Sequence, residues 1–248
     1  MPVVVAEVVV GTATAIALTL VAGLTARPPA HPVPDRGGYF VRWAALHGGY
    51  DPRRSRFAGG WLTVVYRVGR PLAQRGVQPD VLTGWGLWAA LVVVALAGPH
   101  RWPLLAAVVV VGSAWADNLD GCVAVLTDRV TRFGYVLDSV VDRLADAAYL
   151  VALWRLGCPG ALAVAAGGAL GLLEYTRARA GNAGMGEIGL VTIGERPTRV
   201  IVVTLALLGA GLFPERHGVI AAVGAGAIVG VCLIGLGQLL TVTRRLLG

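Results

Sequence analysis

The stretch Trp115-Ala-Asp117-Asn-Leu-Asp120-Gly121-Cys-Val-Ala124-Val125, followed after eight residues by Gly134-Tyr-Val-Leu-Asp138-Ser-Val-Val-Asp142, puts four carboxylates inside apolar sequence. They fall at the end of one apolar run, 104–124, and at the start of the next, 134–154. An aspartate at the centre of a bilayer costs about 2.5–3.5 kcal/mol even on the lenient insertion scale, so four cost on the order of 10 kcal/mol if nothing compensates. Spacings of three and four place Asp117 with Asp120, and Asp138 with Asp142, on single helical faces. A helical hairpin therefore points all four into one cavity.

Working outward, the same apolar character extends over most of the chain. It has 248 residues, is 56% hydrophobic and only 14% charged, and has a mean hydropathy of +0.71, which excludes an ordinary soluble globule. Uncharged windows of about 20 residues can each cross a hydrocarbon core. Six such spans follow residue 80, roughly 81–98, 104–124, 134–154, 160–178, 199–213 and 218–242, with breaks at Pro99/Pro103, Asp128–Arg132, Arg155–Pro159, Arg179–Pro197 and Pro214–His217. The 35 glycines favour closely packed helices over a barrel.

Ahead of this six-helix body, residues 1–26 read as an extra N-terminal transmembrane helix. No basic residue precedes its apolar run, as a cleaved leader would require. Residues 27–60 read as a basic, Pro-rich linker, and 61–76 as an amphipathic helix in the headgroup region, where Arg67, Arg70 and Arg75 flank Trp61, Leu62, Val65, Tyr66 and Leu72. The six-helix membrane domain is then 77–248. With the linker cytoplasmic, alternation leaves Arg101, Arg155 and Arg216 outside and the other 18 of 21 arginines on or near the inside. The N-terminus is then outside, and the acids lie at the cytoplasmic face of what reads as a bacterial cell membrane.

There is no lysine, which excludes a Schiff-base enzyme or a P-loop. Cys122, Cys158 and Cys232 are scattered, with neither a disulfide framework nor zinc spacing, and read as small apolar packing residues. The acids have a more specific chemistry. Carboxylates packed together repel unless a divalent ion holds them ionised, and hard oxygen donors without His or Cys favour Mg²⁺, Mn²⁺ or Ca²⁺. More than two suggest a pair of ions, an arrangement suited to displacement at phosphorus. Gly121 and Gly134 leave room for a phosphate or nucleotide beside them. Asp128 and Arg129 read as a solvated turn, and Asp146 as a structural partner of Arg143. A cation channel or proton relay is the competing use of four such acids.

The pattern Asp117-x-x-Asp120-Gly121-x-x-Ala124, then Gly134-x-x-x-Asp138-x-x-x-Asp142, resembles the signature of the CDP-alcohol phosphotransferases. Gly76-Val-Gln-Pro79-Asp80-Val-Leu-Thr83 resembles that family's entry to the first core helix. Tyr175-Thr-Arg177-Ala-Arg179 and Gly194-Glu195-Arg196-Pro197-Thr-Arg199 resemble the acceptor-side segments of its phosphatidylinositol phosphate synthase branch. The resemblance covers about residues 61–201. It implies an all-α, six-helix membrane body behind an interfacial helix, commonly a homodimer. It also implies attack by an alcohol on the β-phosphorus of a CDP-linked lipid, usually CDP-diacylglycerol, with release of CMP and no nucleic-acid partner.

Carried over position by position, Asp117, Asp120 and Asp138 become metal ligands for Mg²⁺ or Mn²⁺, and Asp142 a ligand or the general base. Thr83, Gly121, Ala124 and Gly134 become the nucleotide pocket. Arg177, Arg179, Arg196 and Arg199 become the grip on the phosphate of a polyol phosphate such as inositol phosphate, a task that suits guanidinium geometry. Glu195 orients Arg196 or serves as a helix N-terminal acid. The signature has an arginine where this chain has Val125, so a different donor, weaker activity or a non-catalytic homologue remains open; glycerol phosphate is, separately, the alternative acceptor. Arg129, four residues on, substitutes for that cation if the helix persists to it.

Overall fold

The computed structural model describes residues 2–98, 101–185 and 191–247, with side chains from Thr14 onward. Among these the chain is all-helical: α1 Pro2–Thr25, α2 Arg36–Leu46, α3 Arg56–Gln74, α4 Pro79–Leu96, α5 Trp102–Leu126, α6 Arg132–Arg155, α7 Gly160–Asn182, α8 Arg196–Leu212 and α9 His217–Leu247. Short 3-10 turns occupy Pro52–Arg54 and Pro214–Arg216. The six expected spans correspond to α4–α9, each within a few residues. Pro99, expected at the first break, lies outside the described residues.

Among the described residues, three stretches are long and apolar enough to cross a membrane by length and composition: Pro79–Leu96, Trp102–Leu126 and Pro214–Leu247. Helices α6 and α7 have the length, but each carries ionisable residues within it. At about 1.5 Å per residue the 24-residue α1 is also long enough to span.

The segment 27–60 departs from the linker expected of it. Asp35 caps α2 by accepting from the Gly38 N–H at 2.8 Å, and Tyr39 and Phe40 are buried one turn later. The interfacial helix begins at Arg56, five residues earlier than its apolar stripe implies, because Ser55 caps it through the Ala58 N–H.

The chain divides into two compact units, Met1–Trp88 with Ser113–Asp142, and Ala89–Gly112 with Arg143–Gly248. In the first, α2 and α3 bury Tyr39, Phe40, Leu62, Val65, Tyr66 and Ala73 in one cluster with Cys122, Val123, Val125 and Leu126 of α5. The approach of α3 to α5 requires Gly69, where an added Cβ would lie 2.7 Å from Cys122 Sγ. The turn into α4 is tied to the N-terminal segment: the Arg27 N–H donates to the Gly76 carbonyl at 2.9 Å, and Gly76 is left-handed with φ +75°. In the second unit, α6–α9 and the adjoining ends of α4 and α5 pack a core of small and aliphatic residues, among them Ala106, Val110, Tyr149, Leu153, Leu173, Leu207 and Ile228. At one end of it Arg155, which closes α6, donates from Nε to the Ala97 carbonyl at 3.4 Å, and His217, which opens α9, contacts the Leu156 carbonyl through Nδ1 at 2.5 Å.

Candidate active site

The last two turns of α5 and the first half of α6 carry the four aspartates, all in the first unit. Asp117, Asp138 and Asp142 each offer a carboxylate oxygen within 4.8 Å of the others, and all three are half-buried. Oxygens on opposite sides of an ion bound at about 2.0–2.6 Å lie roughly 4–5 Å apart, so this donor set fits one hard divalent cation without rearrangement of the helices. Asp120 is placed differently. It is 7% exposed; its Oδ2 accepts from Thr83 Oγ1 at 2.5 Å, and its Oδ1 accepts from the Gly121 N–H at 2.5 Å. Three of the four expected ligands therefore come together, while the fourth is held against α4 by Thr83.

That bond gives Thr83 a definite position, fixing the carboxylate one turn beyond Asp117. The same region is held by Ser113, whose hydroxyl donates to the Gly86 carbonyl at 2.7 Å, so α4 and α5 are locked on both sides of Asp117. A Cβ added at Gly121 would meet nothing within 4 Å, leaving open space beside Asp120. Gly134 sits in the first turn of α6, where its N–H is capped by Thr131 Oγ1 at 2.9 Å. Ala124 is half-buried and gives its carbonyl to the turn that ends α5.

The end of α5 corrects the expectation for Arg129. Asp128 adopts φ 55°, and the Arg129 N–H returns to the Ala124 carbonyl at 2.9 Å, a Schellman-type stop. The helix ends at Leu126, so Arg129 does not continue its face. Its Nη2 donates instead to the backbone carbonyls of Arg27 at 2.7 Å and Pro28 at 3.3 Å. Nor is Asp128 a simple solvated turn, since it pairs with Arg42 at 2.8 Å. Val125, at the signature's arginine position, is 6% exposed among Tyr39 and Phe40, and its carbonyl accepts from Arg42 Nη1 at 3.4 Å. An apolar residue and the added helix α2 thus occur together there. Arg42 was missed because it lies in a segment read as linker.

The second unit holds the other charged group. Arg199 is 1% exposed; it donates to Glu174 at 2.8 Å, to Asp146 at 3.1 Å and to the Gly194 carbonyl at 2.5 Å. Arg143 bridges the same two acids, at 3.1 Å to Asp146 and 3.0 Å to Glu174, so the pairing expected of Asp146 is present within a wider network. Arg177 pairs with Glu195 at 2.5 Å, and Glu195 also accepts from the N–H and hydroxyl of Thr192. Three arginines thus face three acids, and the cluster is neutral.

The expectation for Arg199 changes: instead of facing an acceptor phosphate it is turned inward by the first turn of α8 onto the carboxylates of Asp146 and Glu174. Glu195 is the N-cap residue of α8, as the reading of it as a helix N-terminal acid expects, and its carboxylate also accepts from Arg177. Arg196 is half-buried at the start of α8, and Arg179 is exposed in the last turn of α7. Glu174 was missed, although an acid inside an apolar span, three residues before Arg177, signals a buried partner.

A family model, CDP-alcohol phosphatidyltransferase, matches residues 77–242, and the chain belongs to this family of membrane transferases. Among its relatives, archaetidylinositol phosphate synthase of Pyrococcus horikoshii is 34% identical over 148 residues, covering 57% of this chain and 75% of that protein. Phosphatidylinositol phosphate synthase of Cutibacterium acnes is 29% identical over 201 residues, covering 77% and 94%. The crystal structure of the Mycobacterium tuberculosis phosphatidylinositol phosphate synthase with CDP-DAG bound superposes with a TM-score of 0.56 at 28% identity, covering 72% of this chain and 94% of that one. The same enzyme with manganese and citrate gives a TM-score of 0.57 at 27% identity, covering 73% and 88%.

Proposed function

We propose that this transferase moves a phosphatidyl group from CDP-diacylglycerol, or a closely similar lipid, to the hydroxyl of a polyol phosphate such as inositol phosphate, releasing CMP. The observation that carries the reading is the convergence of Asp117, Asp138 and Asp142 within 4.8 Å, beside an Asp120 fixed by Thr83. The names of the relatives favour an inositol phosphate acceptor.

Asp117, Asp138 and Asp142, beside the Asp120 that Thr83 fixes, would hold Mg²⁺ or Mn²⁺, and four carboxylates suffice for a pair of ions. The chemistry that divalent ions would supply there is neutralisation of the charge that develops on the leaving nucleotide. The chain's own part is largely positioning, as transfer at phosphorus demands. Asp142 accepts the proton of the acceptor hydroxyl as its oxygen attacks the β-phosphorus; the bond from that phosphorus to the CMP oxygen breaks. Thr83, Gly121, Ala124 and Gly134 border the nucleotide, the open space at Gly121 admitting it close to the backbone. Arg179 and Arg196 take the acceptor phosphate. Arg177, held by Glu195, lies beside them in sequence, and Arg199 supports the segment from the buried network. We place this site at the cytoplasmic face, α1 across the membrane, and the working form as a homodimer.

The test is CMP release from CDP-diacylglycerol with Mg²⁺ or Mn²⁺ and a panel of inositol phosphate, glycerol phosphate, free inositol, serine and phosphatidylglycerol. Release with inositol phosphate supports the reading, and release with another acceptor alone reassigns the acceptor. Silence with all of them favours a non-catalytic homologue, the reading that the buried Val125 at the signature's arginine position motivates. Asp142→Asn should lower turnover at least about 100-fold if it serves as the base.

A further inference from the structure

The segment ahead of the family-matched region builds a second basic site. An open groove of about 930 Å³ lies among α2, the 3-10 turn and α3; its lining includes Arg36, Arg53, Arg56 and Arg67, with Phe40 and Val64. Arg53 is paired with Asp51 at 2.9 Å, and Asp35, the acid in the lining, is spent capping α2. Arg36, Arg56 and Arg67 have no ion pair or side-chain hydrogen bond among the described residues, so against the one carboxylate of Asp35 the groove keeps a net positive charge.

Helix α3 explains which anion this suits. Its side chains sort into three stripes at 100° per residue. Leu62, Val65, Tyr66, Gly69 and Ala73 are buried. Arg56, Thr63 and Arg67 face the groove. Between these stripes, Phe57, Trp61, Val64 and Val68 form an apolar line at spacings of four, three and four, and they are 84%, 38%, 42% and 43% exposed. A free phosphate or a soluble polyanion has no use for that line. An anionic lipid has use for both stripes, its headgroup phosphate among the arginines and its chains along the aromatic and aliphatic edge.

We infer that this groove is a binding site for the phosphate headgroup of an anionic phospholipid such as phosphatidylglycerol, separate from the aspartate site, which seats α3 at the membrane surface. Arginine suits the task through its planar, multi-donor contact with phosphate oxygens. Two such residues near an anionic surface contribute a combined effect of roughly 10- to 30-fold in lipid affinity.

The purified full chain is titrated with phosphatidylglycerol or phosphatidylcholine and read by native mass spectrometry, with size-exclusion and thermal melting as folding controls. The expected result is preference for phosphatidylglycerol, reduced roughly 10- to 30-fold by Arg56→Gln with Arg67→Gln and unchanged by Arg244→Gln with Arg245→Gln at the far end of the chain. Equal loss in both pairs, or none in the groove pair, overturns the site. Displacement of the lipid by millimolar inorganic phosphate makes it a free-anion site and overturns the lipid assignment. Should the groove pair misfold, Gly60→Glu serves in its place: an added Cβ there meets nothing within 4 Å, and its carboxylate should repel the headgroup. Undiminished preference in that variant also counts against the proposal.

Discussion

Removing the Arg199 guanidinium should cost the protein more than removing any other single charge in the second unit. Arg199→Ala leaves Asp146, 3% exposed, with Arg143 as its remaining cation, strips one of Glu174's partners, and orphans the Gly194 carbonyl. Breaking a buried ion pair by deleting one partner costs about 3–5 kcal/mol, because a desolvated charge is left behind. At roughly 2–4 °C per kcal/mol for a chain of this size, the melting temperature falls by about 6–20 °C. The assay is thermal unfolding of purified protein in one detergent, followed by intrinsic fluorescence, beside Arg199→Lys and the double change Arg199→Met with Asp146→Leu. Lysine keeps the charge but cannot span two carboxylates and a carbonyl, so it should fall between. The double change removes both buried charges and should melt above Arg199→Met alone. An Arg199→Ala protein melting with wild type, or a double variant no better than the single, would refute the idea that charge balance holds this region together.

Thr83→Val removes the hydroxyl that fixes Asp120 and should lower the rate of CMP release about tenfold or more while the protein still melts near wild type, read by parallel turnover and melting assays. Restoring the signature with Val125→Arg should destabilise by roughly 3 kcal/mol and not activate, because that side chain is buried among Tyr39 and Phe40; higher turnover with an unchanged melt would contradict this. Gly69→Leu should be destabilising by about 1–3 kcal/mol or more, since even a Cβ would overlap Cys122 Sγ, and Cys122→Ala should recover part of the loss in a denaturation series.

The helical body and the acid cluster were legible because each rests on a periodicity: apolar runs of membrane length, and aspartates three and four apart on adjoining helices. What spacing could not supply is where a side chain turns once it has a choice of partners. Asp120 and Asp117 share a face, yet Thr83, 37 residues away, draws Asp120 aside. Arg196 and Arg199 are also three apart, but Glu174 and Asp146 claim the second. Helix α2 was hidden for a different reason: its glycines and arginines, and the prolines that precede it, imitate a linker, and only the Asp35 cap followed by Tyr39, Phe40 and Trp43 betrays a short amphipathic helix. Arg129 was misplaced because a non-glycine residue, Asp128, occupies the left-handed position that ends α5.

The stitch between Arg27 and Gly76 reaches further than its single hydrogen bond suggests. A side chain at Gly76 would land 2.5 Å from the Arg27 carbonyl oxygen, and that same oxygen is gripped by Arg129, on the turn leading from the first pair of aspartates to the second. The N-terminal segment thus braces the hairpin that carries the aspartates. A shortened protein beginning at Gln78 would keep every signature residue, yet lose the backbone strut that anchors the turn between them.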